Sequence, residues 1–414
     1  MNTDSVLLII GNGMATNRLL ETLDTHHHFA SILVLSDEPA RHYNRIMLSP
    51  LLAGETDLAA ITPHDDDWYS KRRIQIFYGE SAVAVNTQQR NITCASGLTL
   101  SWTQLIFATG SRSFIPSVPG AGCNNVLGFR TLQDVQNMQA RLPHSRHATV
   151  VGAGLLGVEA AVGLQAQGLQ VTLMHRNPVL MNRQLDSTAA QLLHNALRQR
   201  GIQVRTGCGP EQLLSDNGQE INRLLLHRSG RDTRQTLATD LVIFATGIIP
   251  NTELAAQAGI ACNKGIQVNE YLQTSLPDIY ALGECCEFSG TTYGLVAPIW
   301  HQVQVLSQVL LQQPASPYYE QPQITKLKVS GLDIHSIGDI HAGPDDGCEL
   351  MTLLDEEAGL YKKLVLRHNR IIGALCVGDV RHSQWYFDLL MQAEDISDQR
   401  LTLLFGPQQQ PEAA

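Results

Sequence analysis

The feature that most limits the fold of this chain is a turn that occurs twice. A short apolar strand runs into a glycine-rich turn, the turn opens a helix, and a second apolar strand follows. The first copy reads SVLLIIGNGMATNRLLETL and then SILVLSDEP; the second reads ATVVGAGLLGVEAAVGLQAQG and then VTLMHRNP. Each copy later supplies an apolar strand closed by Ala-Thr-Gly, LIFATG at 105–110 and LVIFATG at 241–247. Apolar runs alternating with helical periodicity predict β-α-β units, whose parallel strands need crossover helices and bury the sheet on both faces. The expected class is α/β, with two Rossmann-like nucleotide-binding domains.

At 414 residues the chain suits two or three domains with substantial cores. Its net charge of −10 and pI near 5.8 argue against a nucleic-acid partner or an anionic membrane surface, both of which select clustered Lys and Arg. The N-terminus lacks a cationic leader, and no stretch approaches the roughly 20 apolar residues of a membrane span, so a cytoplasmic location is expected. The eight cysteines include no C-x-x-C, which argues against a metal or cluster site. They read as buried thiols, with the adjacent Cys285-Cys286 pair the one worth testing for reactivity. The run His26 to His28 reads as a solvated loop, and His301 as a structural histidine opening a helix.

In the second copy, Gly152-Ala153-Gly154-Leu155-Leu156-Gly157 stands between strand and helix as a dinucleotide turn requires. The first glycine permits the turn, the second admits a pyrophosphate to the backbone, and the third brings helix against strand. The helix N-terminus then offers unpaired N–H groups to the phosphates. The first copy reads Gly11-Asn12-Gly13-Met14-Ala15-Thr16, with Thr16 where the third glycine would be, so its helix must pack differently. Asp37, or the adjacent Glu38, is the carboxylate placed to bind a ribose, with Asp37 preferred. The equivalent positions in the second copy are His175 and Arg176; Arg176 suits a 2′-phosphate, and the nucleotide stays NAD(P)H. Thr109-Gly110 and Thr246-Gly247 end their strands at the carboxyl edge, where doubly wound sheets bind ligands.

The strand DIYALGE, 278–284, is placed to complete the first sheet, and from about Gln323 the pattern turns to alternating strands. The expected division is 1–115 with 241–315 as one discontinuous domain, 116–240 as the second, and 320–405 as a small α+β domain.

Two nucleotide turns on one chain suggest a resident flavin and a diffusing nicotinamide. The arrangement resembles the pyridine nucleotide–disulfide oxidoreductase superfamily over nearly the whole length. The resemblance implies FAD in the first unit and NAD(P)H in the second, with Gly283-Glu284 in YALGECC meeting the flavin. A buried Glu284 would itself speak for a bound partner. No cysteine pair follows Gly13, so disulfide reduction is not expected. The ferredoxin reductases of this superfamily carry Tyr-x-Arg-x-x-Leu-Ser-Lys near the flavin ring, where this chain has Tyr43-Asn44-Arg45-Ile46-Met47-Leu48-Ser49-Pro50, so the lysine is replaced by Pro50. That segment, with GLLGVEAA, LMNRQLD, GLVAP, KLKVSGLDIHSIGD and IIGALCVGD, is most similar to the flavin module of assimilatory nitrite reductase large subunits and nitrate reductase electron-transfer subunits.

The resemblance further implies that Met14, Arg45, Val83 and Val296 touch FAD and that Glu159 lies near the nicotinamide, with no side-chain nucleophile. The implied role is to pass electrons from NAD(P)H through FAD to a partner redox protein of nitrate or nitrite assimilation. Alternatives are a rubredoxin or ferredoxin reductase and, from another class, a flavin-binding regulatory protein. The natural acceptor and the chain's own assembly, homodimer included, stay open.

Overall fold

The computed structural model describes residues 5–228, 231–329 and 331–407. Two five-stranded parallel sheets repeat one plan. In the first, Val6–Ile10 lies centrally between Ser31–Ser36 and Gln104–Phe107, with Ile74–Tyr78 and Ile279–Ala281 at the edges. In the second, His147–Val151 lies between Gln170–His175 and Leu241–Phe244, with Gln203–Thr206 and Val126–Gly128 at the edges. The central strands are largely apolar because helices cover both faces; Leu7, Leu8 and Ile9 are fully buried, as is Val150, while His147 and Thr149 are the polar residues of the second. A three-stranded antiparallel meander precedes the Ala-Thr-Gly strand in each copy, spanning 82–101 and 208–238.

Strand 279–281 pairs with 105–107, so the late segment completes the first sheet as its sequence suggests. The domain boundary drawn at 241 is corrected. Leu241–Phe244 pairs with Ala148 to Val151 on one side and with Val126 to Gly128 on the other, and belongs to the second unit through its whole length. The chain returns to the first unit only after Gly247.

The C-terminal unit is a five-stranded antiparallel sheet in the order Ile324–Val329, Leu332–Gly338, Arg370–Val377, Leu360–Arg367, Glu349–Asp355. Helix Ser383–Gln392 packs on it, with Tyr386 fully buried. Leu327, Val329, Leu375 and Val377 share one apolar core with the second nucleotide unit and with Leu48, Leu51 and Leu52 of the helix Leu48–Ala53.

The two glycine turns meet their helices differently. Any side chain at Gly157 would run into the Gly152 carbonyl, so the second helix seats directly on its turn. In the first copy the fully buried Thr16 donates its hydroxyl to the Gly11 carbonyl at 2.6 Å. A hydrogen bond thus replaces the backbone contact. Thr16→Val, which keeps the shape and removes the donor, is expected to cost about 1–3 kcal/mol of stability in urea denaturation, with Thr16→Ser recovering the part due to the bond.

Candidate functional site

At the first turn Gly11 has φ +109° and its α-carbon faces the Ala108 carbonyl so closely that a methyl group has no room. Gly13 is the extended N-cap of helix Met14–Leu23, and no side chain caps that helix. Helices Asp66–Lys71, Leu132–Arg141 and Ser187–Gln199 are capped by Asp65, Thr131 and Asp186. The first turn therefore leaves its N–H groups for a ligand, and a helix N-terminus attracts anionic groups.

Around this turn Arg45 is held by three contacts. Its Nη2 donates to Glu38 Oε1 at 2.5 Å, its Nη1 to the Arg130 carbonyl at 3.2 Å, and its backbone N–H to Met14 Sδ at 3.4 Å. The buried Tyr43 hydroxyl donates to Glu38 Oε2 at 2.7 Å and accepts the Leu132 N–H. Glu38 is thus committed to the protein itself. Asp37 is exposed at the strand end with no side-chain partner among the described residues. Val83 is 49% exposed, at a bulge in the pairing of Ala82 and Ala84 with their partners.

The second turn repeats the geometry. Gly152 has φ +108° and leaves no room before the Ala245 carbonyl, and Gly154 caps helix Leu155–Ala166 without a side-chain bond. Leu155 and Leu156 are half-buried in the first helical turn. His175 Nδ1 accepts the Ala153 N–H at 3.2 Å, which leaves Nε2–H to face Asn182 Oδ1 at 3.3 Å. Burial lowers the pKa of this imidazole, in keeping with a neutral ring. Arg176 is exposed and has no partner among the described residues.

The ends of the two Ala-Thr-Gly strands meet. Gly110 and Gly247, at φ +62° and +124°, turn the chain into an antiparallel link between Ser111–Ser113 and Ile248–Pro250. Thr109 Oγ1 donates to the Asn251 carbonyl at 2.7 Å and Thr246 Oγ1 to the Phe114 carbonyl at 2.6 Å. Both hydroxyls fasten this link, a use that strand-end position alone does not reveal.

A second bridge is made by helix Leu48–Ala53, which crosses from the first unit to helix Leu155–Ala166. Ser49 Oγ donates to Glu159 Oε2 at 2.8 Å. No cation pairs with Glu159 among the described residues, and burial raises its pKa despite the Ser49 bond.

Gly283, at φ +85°, lies against Ala15 of the first helix and donates its N–H to the fully buried Gln302 at 3.0 Å. Gln302 belongs to helix Val296–Leu310, whose N-terminus also lacks a side-chain cap. Glu284 accepts from Ser111 Oγ at 2.7 Å and pairs with Arg130 Nη2. The burial of Glu284 therefore does not by itself speak for a ligand, because Arg130 supplies the compensating charge. Burial in turn lowers the Arg130 pKa to about 10.

Cys285 and Cys286 are fully buried with thiols pushed up by burial, and Cys285 Sγ donates to the Phe107 and Leu282 carbonyls. Such thiols are unreactive. His27 is buried, not solvated, with Nε2 at 2.9 Å from the Arg72 carbonyl. His301 packs against Tyr318 and Tyr319. Among the described residues no group of His, Cys, Asp and Glu is arranged to hold a metal, and no helix is long and apolar enough to cross a membrane.

Residues 5–308 match the family model described as pyridine nucleotide-disulphide oxidoreductase. The chain belongs to this family. Residues 324–394 match the rubredoxin NAD+ reductase C-terminal domain. The assimilatory nitrate reductase electron transfer subunit of Bacillus subtilis is 40% identical over 392 residues, covering 94% of this chain and 50% of that protein. The chain spans about half the length of this relative. A nitric oxide reductase FlRd-NAD(+) reductase of Vibrio vulnificus is 30% identical over 334 residues, covering 80% of this chain and 85% of that one. Among solved structures, a ferredoxin reductase of Rhodopseudomonas palustris superposes with TM-score 0.82 at 25% identity, covering 95% of this chain and 98% of that one. An NADH:rubredoxin oxidoreductase of Clostridium acetobutylicum gives 0.77 at 25%, covering 95% and 96%. The family combines FAD with NAD(P)H, and two uncapped turns that only glycine can form fit two dinucleotides.

Sequence reading missed Arg130, Ser49, Gln302 and His42. The Thr131-x-x-Asp134 box announces a helix start but says nothing of Arg130. His42 is buried, and its Nδ1–H donates to the carbonyl of Asn12 in the first turn at 3.1 Å. Burial, assisted by the charge on Arg45, lowers its pKa to about 4. Between that value and the ordinary 6.5 the unfolded chain binds the proton and the folded chain does not, so stability falls as pH falls through this window. The full shift is worth about 3 kcal/mol. His42→Asn keeps a donor without the titration, so acidification from pH 7 to 4 is expected to cost it less stability than the wild type by about that amount. Equal losses in urea denaturation at the two pH values would contradict this.

Proposed function

We propose that this chain is the NAD(P)H-oxidising flavin component of a nitrate or nitrite assimilation system, delivering electrons to a separate redox protein. The observation that carries the reading is the pair of equivalent, uncapped glycine turns joined by the Ser49–Glu159 bridge, with no reactive thiol beside either. Bound FAD supplies the capacity to take two electrons as hydride and release them singly.

The protein's own part is placement. In this reading Gly11, Gly13 and Met14 receive the FAD pyrophosphate at the first helix N-terminus. Arg45, fixed by Glu38, adds positive charge, and Asp37 accepts from the ribose. Gly110, Gly283, Glu284 and Val296 border the flavin, and Val83 offers an apolar contact at the outer end. In the second unit Gly152, Gly154 and Gly157 receive the NAD(P)H pyrophosphate, with His175 and Arg176 at the far ribose and Gly247 at the strand end. Glu159, held by Ser49 between the units, presents its carboxyl to the nicotinamide. A relative 40% identical to this chain is named for electron transfer in assimilatory nitrate reductase, which favours an acceptor of that system.

The match of the C-terminal unit to a rubredoxin NAD+ reductase domain supports a second reading, with rubredoxin or ferredoxin as acceptor. Anaerobic reduction of the purified yellow protein by NADH and by NADPH, followed by mixing with a nitrate reductase catalytic component or with rubredoxin, separates the two. Faster transfer to rubredoxin favours the second reading, and failure of both nucleotides to bleach the protein overturns both.

Because the folded-state pKa of Glu159 is raised, its burial destabilises the protein increasingly as pH climbs above 4.5 toward the raised value. Glu159→Gln retains the acceptor for Ser49 and removes the charge. Its stability relative to wild type is expected to rise from pH 4.5 to 8 in thermal melts, while the limiting rate of flavin reduction by NAD(P)H falls. A constant difference across that range would contradict the assignment.

A further inference from the structure

Between strand Gln170–His175 and helix Ser187–Gln199 the chain wraps back over the second glycine turn. Met181, buried and at φ +46°, donates its N–H to the Ala153 carbonyl at 2.9 Å, while the Ala153 N–H goes to His175. Ala153 is thus gripped on both sides by this segment. A non-glycine residue holds a left-handed conformation only where its surroundings enforce it.

The end of this segment is held from outside the nucleotide unit. Asp186 ends the segment and caps the following helix by accepting the Ala189 N–H on Oδ1. Its other oxygen accepts from Tyr361 Oη at 2.9 Å and from Lys363 Nζ at 3.3 Å. Both donors stand on strand Leu360–Arg367 of the C-terminal sheet, and both are buried, with the Lys363 side chain 11% exposed. A buried ammonium is tolerated only when paired. His341, from the same sheet's connecting loop, has Nε2 at 3.3 Å from the Arg183 carbonyl. Leu180, Met181 and Leu185 share a core with Leu375 and Val377.

We propose that Tyr361 and Lys363 are positioning residues of the NAD(P)H site. Acting through Asp186, they hold 181–186 against Ala153, so that nucleotide affinity depends on the C-terminal sheet. This rests on the assignment of the second turn to NAD(P)H. The sheet then does more than extend the core, since through Asp186 it holds the segment that grips Ala153.

The test uses the full-length, FAD-loaded protein with Lys363→Met, Tyr361→Phe and Lys363→Arg. FAD content, thermal midpoint and anaerobic stopped-flow reduction across a range of NADH and NADPH concentrations are measured. Lys363→Met and Tyr361→Phe are expected to weaken the apparent nucleotide dissociation constant about tenfold, the effect of losing one charge-assisted or buried hydrogen bond, with FAD content and limiting reduction rate unchanged. Lys363→Arg is expected to restore most of the affinity. An unchanged dissociation constant in both variants overturns the proposal, as does a loss of affinity that tracks loss of FAD or of limiting rate. If wild-type protein is bleached by neither nucleotide, it is the functional reading that fails.

Discussion

The molecule depends on one close approach made twice, between the first glycine of each turn and the carbonyl that ends the neighbouring Ala-Thr-Gly strand. At Gly11 against Ala108 and at Gly152 against Ala245 no side chain has room. That contact brings each helix N-terminus to the carboxyl edge of its sheet with its N–H groups unclaimed. Two anion-accepting ends are thereby built into a chain of net charge −10, without a basic surface.

What lies between the two turns converts a pair of binding sites into a candidate electron path. The Ser111–Ser113 and Ile248–Pro250 link ties the strand ends, and helix Leu48–Ala53 carries Ser49 to Glu159. Beside the first turn, Glu38–Arg45 and Arg130–Glu284 form two ion pairs, linked where Arg45 donates to the Arg130 carbonyl. Each buried charge in them has an opposite partner, which is the condition for keeping such groups out of water. Glu159, between the two units, differs: among the described residues this half-buried carboxyl is answered only by the Ser49 hydroxyl.

Much of this was legible in the residues. The duplicated strand–turn–helix text, the paired Ala-Thr-Gly ends and the late DIYALGE strand lead to both sheets and to the family, because period and glycine spacing are local properties of the chain. The boundary at 241 was drawn before the second copy's own Ala-Thr-Gly strand, whose register with Ala148 to Val151 and Val126 to Gly128 places it in the second sheet. The acids Asp37 and Glu38 were indistinguishable in sequence, and it took Tyr43 and Arg45 folding onto Glu38 to tell their surroundings apart.

The sequence alone determined the turns, since a backbone that must pass a carbonyl at positive φ admits only glycine, and glycine is visible wherever it stands. Tertiary structure decided the partners. Arg130 for Glu284, Ser49 for Glu159, His42 for the Asn12 carbonyl and Lys363 for Asp186 are separated by tens to nearly two hundred residues. A side chain's charge is written in its own letter, but the dielectric around it and the group that answers it depend on which distant segments pack there.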